Sequence, residues 1–286
     1  PDFAWKQRLG DNLCSDCVLA INPDNGAIKW HFQFTPGDKW DWDATQVPIL
    51  IDREFGGRQR KLLVTANRNA FYYVLDRETG EFLWATPFAK QTWAERIDAK
   101  GRPVFRPGIE PNEQGVTVAP AVVGGTNWYP PAYSPQTGLF YIKSFDAMNV
   151  YRTSEPAARV VGEIFFGSAA QAVPVGDTAV TALRALDATT GALRWEYRMR
   201  TPEWTRQDRD DAQYNSQPGV LATAGGLVVS ATREGEVIAL DAGTGALLWH
   251  FTVGGTILAA PMTWMIDGKQ FLTIAAGNAL FTFGLD

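Results

Sequence analysis

Short apolar runs, each broken by a polar turn and resumed a few residues later, recur along the whole chain. Four of these breaks share one pattern. Ala20-Ile21 enters Asn22-Pro23-Asp24-Asn25-Gly26 and leaves toward Trp30, and Val74-Leu75 enters Asp76-Arg77-Glu78-Thr79-Gly80 and leaves toward Trp84. Ala185-Leu186 leads through Asp187 and Gly191 to Trp195, and Ala239-Leu240 through Asp241 and Gly245 to Trp249. The Trp always falls four residues after the Gly. An Asx side chain at the head of such a turn caps free amides, Gly takes the positive φ, and the flanking apolar runs pair as a hairpin. Further strands precede and follow, such as Gly226-Leu227-Val228-Val229-Ser230 and Lys269-Gln270-Phe271-Leu272-Thr273-Ile274.

The Gly positions lie 54, 111 and 54 apart, and the doubled gap holds a weaker copy, Tyr133-Ser134-Pro135-Gln136-Thr137-Gly138-Leu139-Phe140, without the Trp. Five units of about 55 residues thus tile residues 1–286 as a single domain. Three to four antiparallel strands per period predict an all-β fold, a β-propeller. A Trp at a fixed place in each unit wedges between neighbouring sheets, so Trp30, Trp84, Trp195 and Trp249 are expected to be buried at equivalent positions between blades.

Composition agrees and narrows the chemistry. Among 286 residues, 27 Gly, 17 Pro and 11 Trp favour short strands and turns over long helices. A net charge of -5 without basic runs argues against a nucleic-acid partner, and no apolar run approaches the roughly 18 residues of a membrane helix. The opening Pro1-Asp2-Phe3, with no initiator Met and no signal peptide, reads as though cut from a longer protein. His31 and His250 each follow a repeat Trp and precede a Phe, which marks them as scaffold and removes His-ligated zinc, a Ser-His-Asp triad and a Cys-His pair. Acid and base work then falls to carboxylates. Cys14 and Cys17 form a lone C-x-x-C with Val18 where a c-type haem site needs His. On a strand, neighbours three apart face opposite ways, so these two are expected to be packed or partly exposed thiols and not a disulfide.

Four segments break the repeat. The first, residues 34–46, holds Asp38, Trp40, Asp41, Trp42 and Asp43; if extended, Asp41-Trp42-Asp43 puts two carboxylates on one side, suited to a hard cation or to raising one another's pKa. A plain polar turn with capping Asp is the alternative. The second is Asn67-Arg68-Asn69, either a tight turn or a fork of donors for an anionic or quinonoid oxygen. The third is Val123-Gly124-Gly125-Thr126-Asn127-Trp128, which delivers an amide and an indole. The fourth, residues 208–217, reads as a solvated loop.

Trp30 through Pro48, Asn67-Arg68-Asn69, Gly124-Gly125-Thr126-Asn127-Trp128 and Leu221 through Val228 together resemble the pyrroloquinoline quinone (PQQ)-dependent alcohol dehydrogenases, in the right order and over nearly the whole chain. The resemblance implies part of an eight-bladed quinoprotein propeller, its C-terminal part, with the N-terminal blades, their metal-binding Glu and Asn and their vicinal disulfide missing. It implies that Asp41 is the catalytic base and lies at the metal, that Asp43 is the extra ligand of lanthanide-using members, that Arg68 bonds the quinone oxygens and that Asn127 lies beside the cofactor. These four are expected to meet near the propeller axis. Gln217-Pro218 departs from the Trp that relatives often place there. The implied cofactors are PQQ and a lanthanide ion, with Ca2+ as the alternative. A small alcohol is the implied substrate, a cytochrome c-type protein the electron acceptor, a second chain or fragment a possible completion of the ring, and the periplasm the location. The competing readings are a non-catalytic propeller scaffold that binds protein partners and an inactive truncated quinoprotein.

Overall fold

The computed structural model describes residues 5–153, 158, 160–163, 171–174, 180–199 and 217–284. Strands and turns account for nearly all of them, and the one helical turn among the described residues is Trp5–Gln7. The chain divides into two compact units, residues 1–127, 145–180 and 189–191 in the first and residues 128–144, 181–188 and 192–286 in the second.

The first unit is built around a four-stranded antiparallel sheet, Ile49–Phe55, Arg58–Ala66, Phe71–Asp76 and Phe82–Pro87 in that order. Its middle strands are buried on both faces from Leu62 to Ala66 and from Phe71 to Leu75. The hairpin Cys17–Ile21 with Ile28–Gln33 belongs to this unit, as do the pair Ala94–Ile97 with Pro103–Phe105 and the small sheet centred on Asn149–Arg152. An aromatic core of Phe32, Phe34, Trp40, Trp42, Phe71, Tyr73 and Trp93 joins them.

The second unit holds three sheets in series. Ala132–Ser134, Leu139–Asp146, Val180–Asp187 and Leu193–Arg198 form the first; Leu221–Ala222, Leu227–Ala231, Glu236–Asp241 and Leu247–Thr252 the second; Met262–Ile266, Lys269–Ala276 and Ala279–Gly284 the third. The turn at Gly138 therefore does not open a repeat of its own. It joins the first two strands of the sheet whose last hairpin carries Gly191. Its Gly138 N–H bonds Ser134 O at 2.9 Å, as Gly80 N–H bonds Asp76 O at 2.8 Å. Any tight turn between apolar strands selects these residues, so the motif marks turn chemistry and not place in a sheet.

The four Trp-bearing hairpins are alike in detail. Each turn Gly has positive φ, between 69 and 77°. The Asx oxygen accepts turn amides, as in Asp241 Oδ1 with Gly243 N–H at 3.0 Å and Thr244 N–H at 2.8 Å. Each hairpin shifts register at the same place, two residues before the Asx. The bulge leaves the residue before the Trp unpaired, keeps the Trp in the ladder and adds local twist.

There the indole finds the following turn. Trp30 donates to Arg77 O at 3.1 Å, and a Cβ on Gly80 would lie 2.8 Å from its ring. In the second unit Trp195 donates to Ala242 O at 3.0 Å, with the same conflict at Gly245 at 2.6 Å. Burial of the four Trp is nevertheless unequal. Trp195 is buried and Trp30 partly so, but Trp84 is 48% and Trp249 37% exposed. At the turn facing Trp84, Thr86 and Tyr72 fill the space beside Gly191, so Trp84 keeps its bond to Thr190 O at 2.9 Å with its ring turned outward. No Asx–Gly turn of this kind follows Trp249, which stacks on Phe251 and meets Phe283 edge-on.

Cys14 also departs from expectation. It sits in a turn, closed by Ser15 N–H to Asn12 O at 2.8 Å, and only Cys17 begins a strand. Asp16 between them has φ 52°, and the curl brings the two thiols into hydrogen-bond contact.

The indole contact predicts a graded response to one added methyl group. Gly245→Ala combines a left-handed backbone with a clash against Trp195 and should lose about 2–4 kcal/mol. Gly26→Ala, with the same backbone but nothing within 4 Å, should lose about 1–2 kcal/mol. Urea unfolding of both variants measures the difference, and equal losses would mean that the indole contributes nothing at the turn.

Candidate active site

The loop after Gln33 takes its shape from Asp38. The buried carboxylate accepts the amide N–H of Trp40 at 3.1 Å and of Trp42 at 2.7 Å. This curls the chain and leaves Asp41 at φ 64°, an expensive conformation for a residue with a side chain. Trp40 and Trp42, fully buried, stack with centroids 4.7 Å apart and pack on Trp93, and the Trp42 indole Nε1–H reaches Ala121 O at 3.1 Å. The capping role in this loop thus falls to Asp38. Asp41 and Asp43 are presented by the curl, not by the alternation of an extended strand.

Asn67-Arg68-Asn69 closes the hairpin between Arg58–Ala66 and Phe71–Asp76. Asn67 Oδ1 accepts the Asn69 N–H and Asn69 Oδ1 the Phe71 N–H, both at 3.0 Å. Asn69 Nδ2 donates to Thr35 Oγ1 at 3.1 Å and to Tyr73 OH at 3.0 Å. The two Asn serve the turn, which leaves Arg68 for the carboxylates. Its Nη1 lies 3.2 Å from Asp43 Oδ2 and its Nη2 3.8 Å from Asp41 Oδ2. The Arg68 side chain is only 8% exposed, against 25% for Asp41 and 56% for Asp43. Its Nε is buried and has no hydrogen-bond partner among the described residues.

The segment around Val122 holds this guanidinium from behind. Arg68 Nη2 donates to Val122 O at 2.7 Å, and the Gly125 N–H to Arg68 O at 2.9 Å. A Cβ on Gly124 would lie 2.2 Å from Arg68 Cγ. Asn127 ends this segment, buried, with Nδ2 donating to Val123 O at 2.8 Å. The structure therefore joins Asp41, Asp43 and Arg68 directly, and places Asn127 in the segment that packs on Arg68.

Asp16 is an addition the sequence reading lacks. Its carboxylate accepts the Ala44 N–H, next to Asp43. Burial, then the charges of Asp38 and Asp43, push its pKa to about 8. Burial raises Asp38 to about 6, against the opposing hydrogen bonds of Trp42 and Trp40 and the charge of Arg68. Of the fourth segment, residues 208–216 lie outside the described residues, and Gln217 is buried.

Two carboxylates opposite a buried fork of N–H donors fit a hard cation with an anionic, oxygen-rich ligand beside it. The partnerless Nε is a donor still available to such a ligand. Among the described residues no group of three or more His, Cys, Asp or Glu could hold a metal ion, so Asp41 and Asp43 would supply only part of a coordination shell. A cavity of about 710 Å³ lined by Trp249, Phe271 and Phe283 in the second unit has no charged lining residue and lacks such chemistry.

Asp38→Ala strands two buried amides and should lower stability by about 2–4 kcal/mol, with a red shift of Trp fluorescence as residues 40–42 open; an unshifted spectrum would count against the anchoring role. The raised carboxyls also set a pH dependence. A folded pKa above the unfolded value of about 4 means that the folded state binds more protons through the interval, so stability present below pH 4 is lost as pH rises through about 6 for Asp38 and about 8 for Asp16. Unfolding midpoints of the unmodified chain should therefore fall relative to those of Asp16→Asn between pH 4 and pH 8; parallel curves would contradict the burial of Asp16.

Residues 1–88 match a family model described as the β-propeller domain of glucose, ethanol and alcohol dehydrogenases, and residues 157–283 one described as outer membrane protein assembly factor BamB. The chain is 39% identical over 284 residues to quinoprotein alcohol dehydrogenase PedH of Pseudomonas putida, covering 96% of this chain and 45% of that protein. It is 34% identical over 291 residues to the 1-butanol dehydrogenase (cytochrome c) of Thauera butanivorans, covering 96% of this chain and 40% of that one. Among solved structures, a europium-containing methanol dehydrogenase superposes with a TM-score of 0.83 at 33% identity, covering 95% of this chain and 46% of that one. The chain thus spans less than half the length of the curated relatives it matches. It is a homologue of the PQQ-dependent quinoprotein alcohol dehydrogenases, corresponding to their C-terminal part.

Proposed function

We propose that the chain supplies the catalytic base, a cation ligand and the quinone-facing arginine of a periplasmic PQQ-dependent alcohol dehydrogenase. The observation that carries this reading is the Arg68 guanidinium set between Asp41 and Asp43, on two loops that depart from the Trp-bearing repeat. Bound PQQ would supply the two-electron acceptor and the cation its Lewis acidity. The protein's part is geometry and field. Asp41, partly shielded and fixed by the curl of its backbone, removes the hydroxyl proton of a small alcohol, a general-base role of about 10²–10⁴-fold. Arg68 would balance negative charge on a reduced acceptor. Asn127 would lie beside the bound acceptor. Trp40, Trp42 and Trp93 exclude water behind the loop, which strengthens each of these interactions.

Asp43 is the proposed second carboxylate on the cation. A trivalent ion gains more from an added negative ligand than a divalent one does, so the site favours a lanthanide over Ca2+. A cytochrome c-type protein would accept the electrons from the reduced quinone. The second reading, a scaffold that binds protein partners, draws on the assembly-factor match of residues 157–283. It leaves Arg68, Asp41 and Asp43 without a task.

PQQ retention after gel filtration, followed by its absorbance, tests the site apart from turnover. Retention should be higher with La3+ than with Ca2+, and Asp43→Ala should remove that preference. Asp41→Asn should still retain the quinone but oxidise no alcohol with either ion, since an amide cannot act as the base. Equal retention with both ions, or an unaffected Asp43→Ala, would overturn the metal assignment; active Asp41→Asn would overturn the base.

A further inference from the structure

The two cysteines lie on the segment that borders the carboxylate loop. Arg8 Nη2 donates to Asp38 O at 2.7 Å and the Gly37 N–H to Asp11 O at 2.9 Å. Asp16, between the cysteines, takes the Phe34 N–H on its backbone oxygen at 2.9 Å and the Ala44 N–H on its carboxylate. Gln33 Nε2 holds Ser15 O at 3.0 Å. The turn is therefore tied to both ends of the loop that carries Asp41 and Asp43.

Within it Cys14 is exposed, Cys17 is partly covered, and their thiols are in hydrogen-bond contact. The Cys17 Sγ also lies 3.3 Å from Ser15 O. The Asn12–Ser15 turn and the left-handed Asp16 between the cysteines curl the chain so that the two sulfurs face one another. We propose that Cys14 and Cys17 are a redox-active dithiol whose closure to a disulfide braces the turn against residues 38–44.

The chemistry is an exchange with a small-molecule disulfide such as oxidised glutathione. The Cys14 thiolate attacks one sulfur of the donor, its S–S bond breaks, and one glutathione leaves as thiolate and takes up a proton. Cys17, in contact with the capped sulfur, then loses its proton and displaces the second glutathione. The cysteines are oxidised by two electrons and the donor is reduced to two thiols. The order of attack follows from exposure. It also agrees with the Cys17 thiol, which burial, the neighbouring Cys14 and Asp16 push up to about 12, so that it meets the donor protonated and reacts second. An oxidising compartment maintains such a bond. This inference does not depend on the proposed function, because neither cation nor quinone enters it.

The full chain is incubated with oxidised glutathione, alkylated and measured by intact mass and peptide mapping, and its amide exchange is compared with that of the reduced form. The expected product has lost two hydrogens, with Cys14 joined to Cys17, while Cys17→Ser stops at a glutathione adduct on Cys14. Exchange over residues 38–46 should slow on the order of tenfold in the disulfide form, and show no change in Cys14→Ser treated alike. A lasting adduct on the unmodified chain, no reaction, or a disulfide that leaves exchange unchanged would each overturn the proposal. Cys14 is on the surface, so its serine variant keeps the fold.

Discussion

An indole lying where a Cβ would otherwise be is the contact that joins two of the four Trp-bearing hairpins, those of Trp30 and Trp195, to the next turn. At Gly80 and Gly245 the turn has left-handed backbone and a ring closer than any side chain allows, so one residue answers two demands at once. The indole N–H closes the arrangement by donating to a carbonyl of the receiving turn. Hydrogen bonding fixes the direction of the ring, and its burial at Trp195 and, in part, at Trp30 adds apolar free energy. Sheets joined this way need little from the segments between them, and those segments are where the chemistry sits.

The carboxylate loop follows a different logic. It has no ladder, so its backbone donors must be met by side chains or by the aromatic core's own neighbours. Asp38 meets two of them from a buried position, at the expense of a carboxyl that burial pushes upward. That strain is local, and the result is a fixed pair of carboxylates facing an arginine that has been largely removed from water. A guanidinium so placed interacts with charge through low dielectric and needs no rearrangement when charge develops nearby.

The repeat was legible because Gly-to-Trp spacing and Asx capping are chemical necessities of a tight hairpin. The same necessity misled at Gly138, where an identical turn serves a different hairpin. The burial of the Trp was read from spacing alone, and Trp84 shows that the neighbours at the receiving turn decide it. Asp41, Asp43 and Arg68 were visible as departures from the repeat and through family resemblance; their actual contacts arise from the Asp38 curl, which an Asx two residues before a Trp only hints at. Asp16 carried no signal, because nothing local to Cys14-Ser15-Asp16-Cys17 says that Ala44 lies against it. Long-range pairing of this kind is set by tertiary structure, not by composition or period.

Gly124 shows how narrowly such a site constrains its own history. Even the smallest side chain there would occupy the place of the Arg68 methylene and press on the Arg68 and Thr126 carbonyls. Random substitution at this codon is therefore silent only when it is synonymous, whereas exposed Asp43 can be exchanged without a steric consequence. The two positions meet different constraints, one set by shape and the other left open to charge.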